Sequence, residues 1–141
     1  MRDRKTVTIN GDTITERMMW DWLVTAFEGG SNYWIGKVKV SEKTMSLHSL
    51  FATEFDNTIG NWRWFHQVPF VLNTENFKGH ELEIDTPSGV KFLAVQNLFN
   101  AIEIMDINCH GDYQDLVTEN YDASTADIFL QYALFGEVIF G

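Results

Sequence analysis

Cysteine is almost missing from this chain. Cys109 is the single one in 141 residues, which excludes an internal disulfide and fits a reducing compartment. Cations are scarce as well: 10 Lys and Arg face 20 Asp and Glu, for a formal net charge of −10. That balance opposes sequence-independent binding to nucleic acid or to anionic membranes, because both need cations to neutralise phosphates. It leaves room for a small anionic ligand held by a few positioned groups. No run approaches the roughly 18 apolar residues of a membrane span. The opening M-R-D-R-K-T-V-T-I-N also lacks the apolar core of a signal peptide, so the cytoplasm is the expected location. Prolines number 2, and no repeat, linker or low-complexity tract breaks the sequence. The G-x-S-x-G, P-loop and dinucleotide glycine patterns are missing too. His48, His66, His80 and His110 fall into no H-x-x-x-H spacing, and Cys109-His110-Gly111-Asp112 has no distant partners to complete a metal site. No metal, cofactor or catalytic nucleophile is therefore assigned.

What is abundant is apolar and aromatic, at 45% and 14% of the residues. Disorder is excluded by that content, and the length suits one domain over residues 1–141. Residues 6–10 alternate polar and apolar and read as a strand closed by Asn10-Gly11. Thr13 and Glu16 have the spacing of a capping box, so a helix is expected over residues 14–28. On a wheel of roughly 100° per residue, Arg17, Asp21, Thr25 and Glu28 share one narrow polar stripe. A helix apolar around most of its circumference is buried on several sides, with Gly29 as its left-handed stop. More apolar helix surface than one sheet can cover points to a homo-oligomer.

Residues 33–40 read as a strand in which Gly36 marks a bulge or a close approach. Residues 62–72 are aromatic and β-prone, with Pro69 at an edge or bend. A hairpin of residues 81–85 and 90–93 flanks T-P-S-G. A second helix is expected over residues 95–107, burying Val95, Leu98, Phe99, Ile102 and Met105. The polar residues 108–121 read as a loop, with room for a turn of helix. Asp122 then caps a third helix over residues 123–135, stopped by Gly136, and residues 137–141 read as a short strand. The expected class is α+β: an antiparallel sheet of four or more strands with three helices mainly on one face.

Glu28 is the odd residue of the first helix, since a carboxylate at a helix C-terminus opposes the macrodipole. It either accepts from a ligand or ties down the loop amides of residues 31–33. Arg17, Asp21 and Glu28 are expected to converge with Asp127 and Gln131 of the third helix if the two helices are neighbours. Trp62, Arg63 and Trp64 interleave aromatics with a cation, a pattern that stacks a base and contacts phosphate. Tyr33 and Trp34 would form the opposite wall; the alternative is a strand with one face buried.

The pairing of A-F-E-G-G-S-N-Y-W (26–34) with D-A-S-T-A-D-I-F-L-Q-Y-A-L-F-G-E-V-I-F-G (122–141) resembles a family of small bacteriophage and actinobacterial proteins of no assigned activity. The resemblance covers both ends of the chain, where Glu28, Gly29, Gly30, Tyr33, Trp34, Asp127, Gln131, Gly136 and Glu137 occupy its motif positions. It implies a phage accessory protein acting in the host cytoplasm, with its two ends meeting in space. Three readings follow: a non-enzymatic, oligomeric binder that sequesters a nucleotide-like signal of host defence; an acidic inhibitor of a host protein, such as a DNA mimic; and a hydrolase using Glu28 and Asp127 as a carboxylate pair.

Overall fold

Asn10 and Gly11 take positive φ angles of 54° and 85°. A type I′ hairpin turn demands this of both central residues. The chain therefore folds back, and β1 (Thr6–Ile9) pairs antiparallel with β2 (Asp12–Thr15) in the register Val7 to Ile14. The computed structural model describes residues 6–36, 38–40 and 82–141. The expectations for residues 41–81, with Trp62, Arg63 and Trp64 among them, lie outside the described residues.

The β2 strand displaces the expected capping box. Thr13 is a strand residue, and α1 (Glu16–Thr25) is capped instead by Thr15, whose hydroxyl accepts from the Met18 amide at 3.2 Å. Pairing with β1 and burial of Ile14 favour the strand over an earlier helix start. Beyond Thr25 the helix widens into a π-turn, Ala26–Gly30, closed by the Ser31 amide on the Ala26 carbonyl at 2.9 Å. Gly29 is thus not the left-handed stop expected of it. Among the described residues the positive-φ glycines are Gly11, Gly89, Gly136 and Gly141.

Residues 33 and 34, expected to open a strand, lie in a turn whose amides point back: those of Trp34 and Ile35 both reach the Ser31 carbonyl, at 3.2 and 3.0 Å. Only β3 (Val38–Val40) is extended. Its approach to β4 (Leu82–Thr86) runs through Gly36, whose amide donates to the Asp85 carbonyl at 2.8 Å; a Cβ there would sit 3.0 Å from that of Asp85. The β4 strand turns at Pro87-Ser88 into β5 (Gly89–Leu93), in a sheet of order β3-β4-β5. The fold is mixed α+β and antiparallel, but among the described residues the sheets hold two and three strands rather than four or more in one.

α2 (Val95–Asn108) buries Leu98, Phe99, Ile102 and Met105 and leaves Gln96, Asn100 and Glu103 exposed, as its periodicity predicts. Residues 108–121, expected as a loop, contain a helix, α3 (His110–Val117). Burial of Tyr113 and Leu116 stabilises it despite its polar composition, and the Tyr113 hydroxyl donates to the Ile9 carbonyl (3.1 Å) and Asp12 (3.0 Å). α4 (Ala123–Phe135) starts at Asp122, whose carboxylate accepts from the Thr125 amide at 3.0 Å, and ends at Gly136 with φ 75°. Apolar on nearly all sides, α4 packs against α1, the π-turn, α2, α3 and β5. Among the described residues the helices gather around α4 rather than spreading over one sheet face. Among the described residues no helix is long and apolar enough to cross a membrane.

Candidate functional site

Asp127 and Gln131 stand one turn apart on α4, so their side chains share a face. Both are buried, at 5% and 0% exposure. A buried carboxylate is costly unless its lone pairs are filled, and those of Asp127 are. One oxygen accepts from the Ser31 hydroxyl and the Trp34 indole N–H, both at 2.7 Å. The other accepts from the Tyr33 hydroxyl at 2.6 Å and the Gln131 amide at 3.0 Å. Hydrogen bonds to an ionised acceptor are about twice as strong as neutral ones. The S-N-Y-W loop is therefore stitched to a helix more than 90 residues away in sequence.

Gln131 secures the other end. Its carbonyl oxygen accepts from the amides of Ile139 and Phe140, both at 2.8 Å, and its amide donates to the Phe140 carbonyl at 3.2 Å. The expected strand at residues 137–141 is not formed, since the backbone groups that would pair in a ladder bond to this one side chain. The Phe140 ring stacks on Trp34 at 5.0 Å and meets Phe135 edge-on at 5.6 Å. The two motif segments, residues 26–34 and 122–141, do meet, around Asp127 and Gln131.

Beside this junction lies an open recess of about 690 Å³, lined by Gly29, Gly30, Tyr33, Ser124, Asp127 and Gly141 among others. Gly30 is required for it: a Cβ there would collide with the Ala123 carbonyl oxygen. Tyr33 is 59% exposed as a residue, while its hydroxyl turns inward onto Asp127. Burial of that hydroxyl, its bond to Asp127 and the Asp127 charge push the phenol pKa up to about 12, against a smaller opposing effect of Gln131.

The structure brings together Tyr33, Trp34, Asp127 and Gln131 of the expected site residues. α1 and α4 are neighbours, yet Arg17, Asp21 and Glu28 lie exposed, as does Glu137 on the tail. The amides of Ser31 and Asn32 bond to the Ala26 and Gly29 carbonyls, and Asp127 anchors the loop's side chains. Sequence reasoning did not single out Ser31 as a partner of Asp127, or Phe140 as the cover of Trp34. Their signals were a hydroxyl beside the double glycine and an aromatic in the tail. It also missed a surface cluster in which Asp106 accepts from Asn10 at 2.7 Å and pairs with His110 at 3.0 Å. Among the described residues no three His, Cys, Asp or Glu side chains gather as a metal site. Burial pushes the Cys109 thiol pKa up, the opposite of what a nucleophile needs.

Against protein-family models, curated proteins and solved structures, the chain has no match.

Proposed function

We propose that the chain works by binding rather than catalysis, and that its site is the recess at Tyr33. One observation carries this reading: an aromatic residue, Tyr33, 59% exposed, whose hydroxyl is fixed at 2.6 Å on a buried carboxylate. Binding ordinarily costs the rotamer freedom of the groups that make contact. Tyr33 has lost that freedom already, so its face is preorganised for a ligand. Asp127, by contrast, accepts four hydrogen bonds on its two oxygens, which leaves no acceptor position for a substrate proton. That is why binding is preferred to the carboxylate-pair hydrolase.

The role that fits the resemblance is a phage-type accessory protein sequestering a small ligand in the host cytoplasm, a nucleotide-like defence signal being the first candidate. Its base would stack on Tyr33, as bases do on aromatic platforms. Its phosphates would need a cation such as Arg63. Mass spectrometry of small molecules carried through purification, followed by calorimetric titration of wild type and Tyr33→Ala with the recovered compound and a nucleotide panel, tests this. The expected result is a carried or titratable ligand whose affinity falls at least tenfold, about 1.4 kcal/mol, in Tyr33→Ala at unchanged fold. Ligand binding indifferent to Tyr33 moves the site elsewhere, and no binding of any compound ends the proposal.

A further inference from the structure

We infer that the Tyr33 recess takes a positively charged organic group, an alkylammonium or similarly compact cation, against the ring face of Tyr33. The inference rests on the recess being the binding site and concerns the charge of what it holds. Three independent features give the recess one sign.

The first is the ring itself. Tyr33 donates to Asp127 at 2.6 Å. A phenol bonded to a carboxylate gains electron density on its ring, and the face of an aromatic ring is already the negative pole of its quadrupole. Cations within about 6 Å of such a face are attracted to it. The second is the wall formed by Gly29 and Gly30, the C-terminal end of the α1 and π-turn helix. Helix C-termini carry partial negative charge; this one has no basic residue in its last turn and carries Glu28. The third is the adjoining wall, the first turn of α4, which packs against Gly30. A helix N-terminus ordinarily attracts anions through its free amides. Here the Thr125 amide bonds to Asp122 at 3.0 Å, and the Ser124 amide is directed at the same carboxylate. An anion arriving there meets amides already engaged and a carboxylate beside them. No lining residue among those described is basic, and the Ser124 hydroxyl can act as an acceptor. A nucleotide-like ligand would thus turn its phosphates away from this recess.

The test is an NMR titration of the full chain carrying ring-labelled tyrosine, at fixed ionic strength, with choline, its neutral isostere 3,3-dimethylbutan-1-ol, and AMP. Choline is expected to shift the Tyr33 resonances with an affinity at least tenfold above that of the isostere, and AMP, whose base can stack on the ring while its phosphate stays outside the recess, to shift them with a weaker affinity than choline. Tyr33→Phe, which keeps the ring but removes the bond to Asp127, should weaken choline binding several-fold, and Tyr33→Leu should abolish it; melting curves confirm that both variants fold. Equal shifts with the neutral isostere, or stronger ones with AMP, overturn the charge assignment while leaving Tyr33 as the binding site. If no probe moves Tyr33, the cation inference falls, and the calorimetric titration decides separately whether the recess binds anything.

Discussion

α1 and α4 carry nearly the same sequence pattern and treat it in opposite ways. Each is apolar over most of its circumference with a narrow polar stripe. On α1 the stripe of Arg17 and Asp21 faces outward and is exposed; on α4 Asp127 and Gln131 are buried. The two helices differ in the supply of donors. The S-N-Y-W loop delivers a hydroxyl, a phenol and an indole N–H to Asp127, and the tail delivers two amides to Gln131. A polar stripe is buried when another segment satisfies it and solvated when none does. The π-turn makes the delivery possible, since Gly30 lets the chain pass against the start of α4 without a side chain in between.

The comparison predicts unequal costs. Asp127→Ala should be the most damaging change, because it orphans two buried donors, Ser31 and Trp34, each at about 1–3 kcal/mol. A loss on the order of 3–5 kcal/mol in denaturant melts is expected, and a loss below about 1 kcal/mol would erase the contrast between the helices. Gly30→Ala forces a methyl into the Ala123 carbonyl. It should cost about 1–3 kcal/mol, as overpacking does, and reduce Tyr33-dependent binding with it; a neutral outcome would mean that the loop relaxes freely. Arg17→Ala and Asp21→Ala lie on the solvated stripe and should stay within about 0.5 kcal/mol of wild type. A larger effect in the same melts would show that the α1 stripe is also engaged.

Sequence reasoning was most successful where local chemistry and tertiary context agree. The Asn10-Gly11 turn, the hairpin around Pro87-Ser88, the α2 face and both caps of α4 were legible because each depends on residues within a few positions. The start of α1 was misread because Thr13 and Thr15 both qualify as caps, and strand pairing decided between them. α3 was read as a loop with at most a turn of helix, because its Gly111 and acidic residues hide a short apolar repeat whose value lies in what Tyr113 and Leu116 pack against. The π-turn left no local signal beyond two glycines. Tyr33, Trp34, Asp127 and Gln131, all singled out in the sequence, do come together in the structure. The bonds between loop and helix were not legible, since they span more than 90 positions.

The central claim is that Tyr33 is held by Asp127 while its ring stays open, and its ionisation reports this directly. The phenol is raised from 10.0 to about 12, first by burial of the hydroxyl, then by the bond to Asp127 and its charge. A folded-state pKa above the unfolded one means that the neutral form is favoured in the native state. The stabilising contribution is therefore complete below about pH 10 and lost as the pH rises toward 12. Site-resolved NMR of Cζ-labelled tyrosines, titrated under native conditions and assigned with Tyr33→Phe, measures it. The account predicts a Tyr33 midpoint near 12, moved only part of the way back toward 10 by Asp127→Asn because burial remains. A wild-type midpoint at the ordinary value of 10.0 would show that the hydroxyl is free and contradict the account.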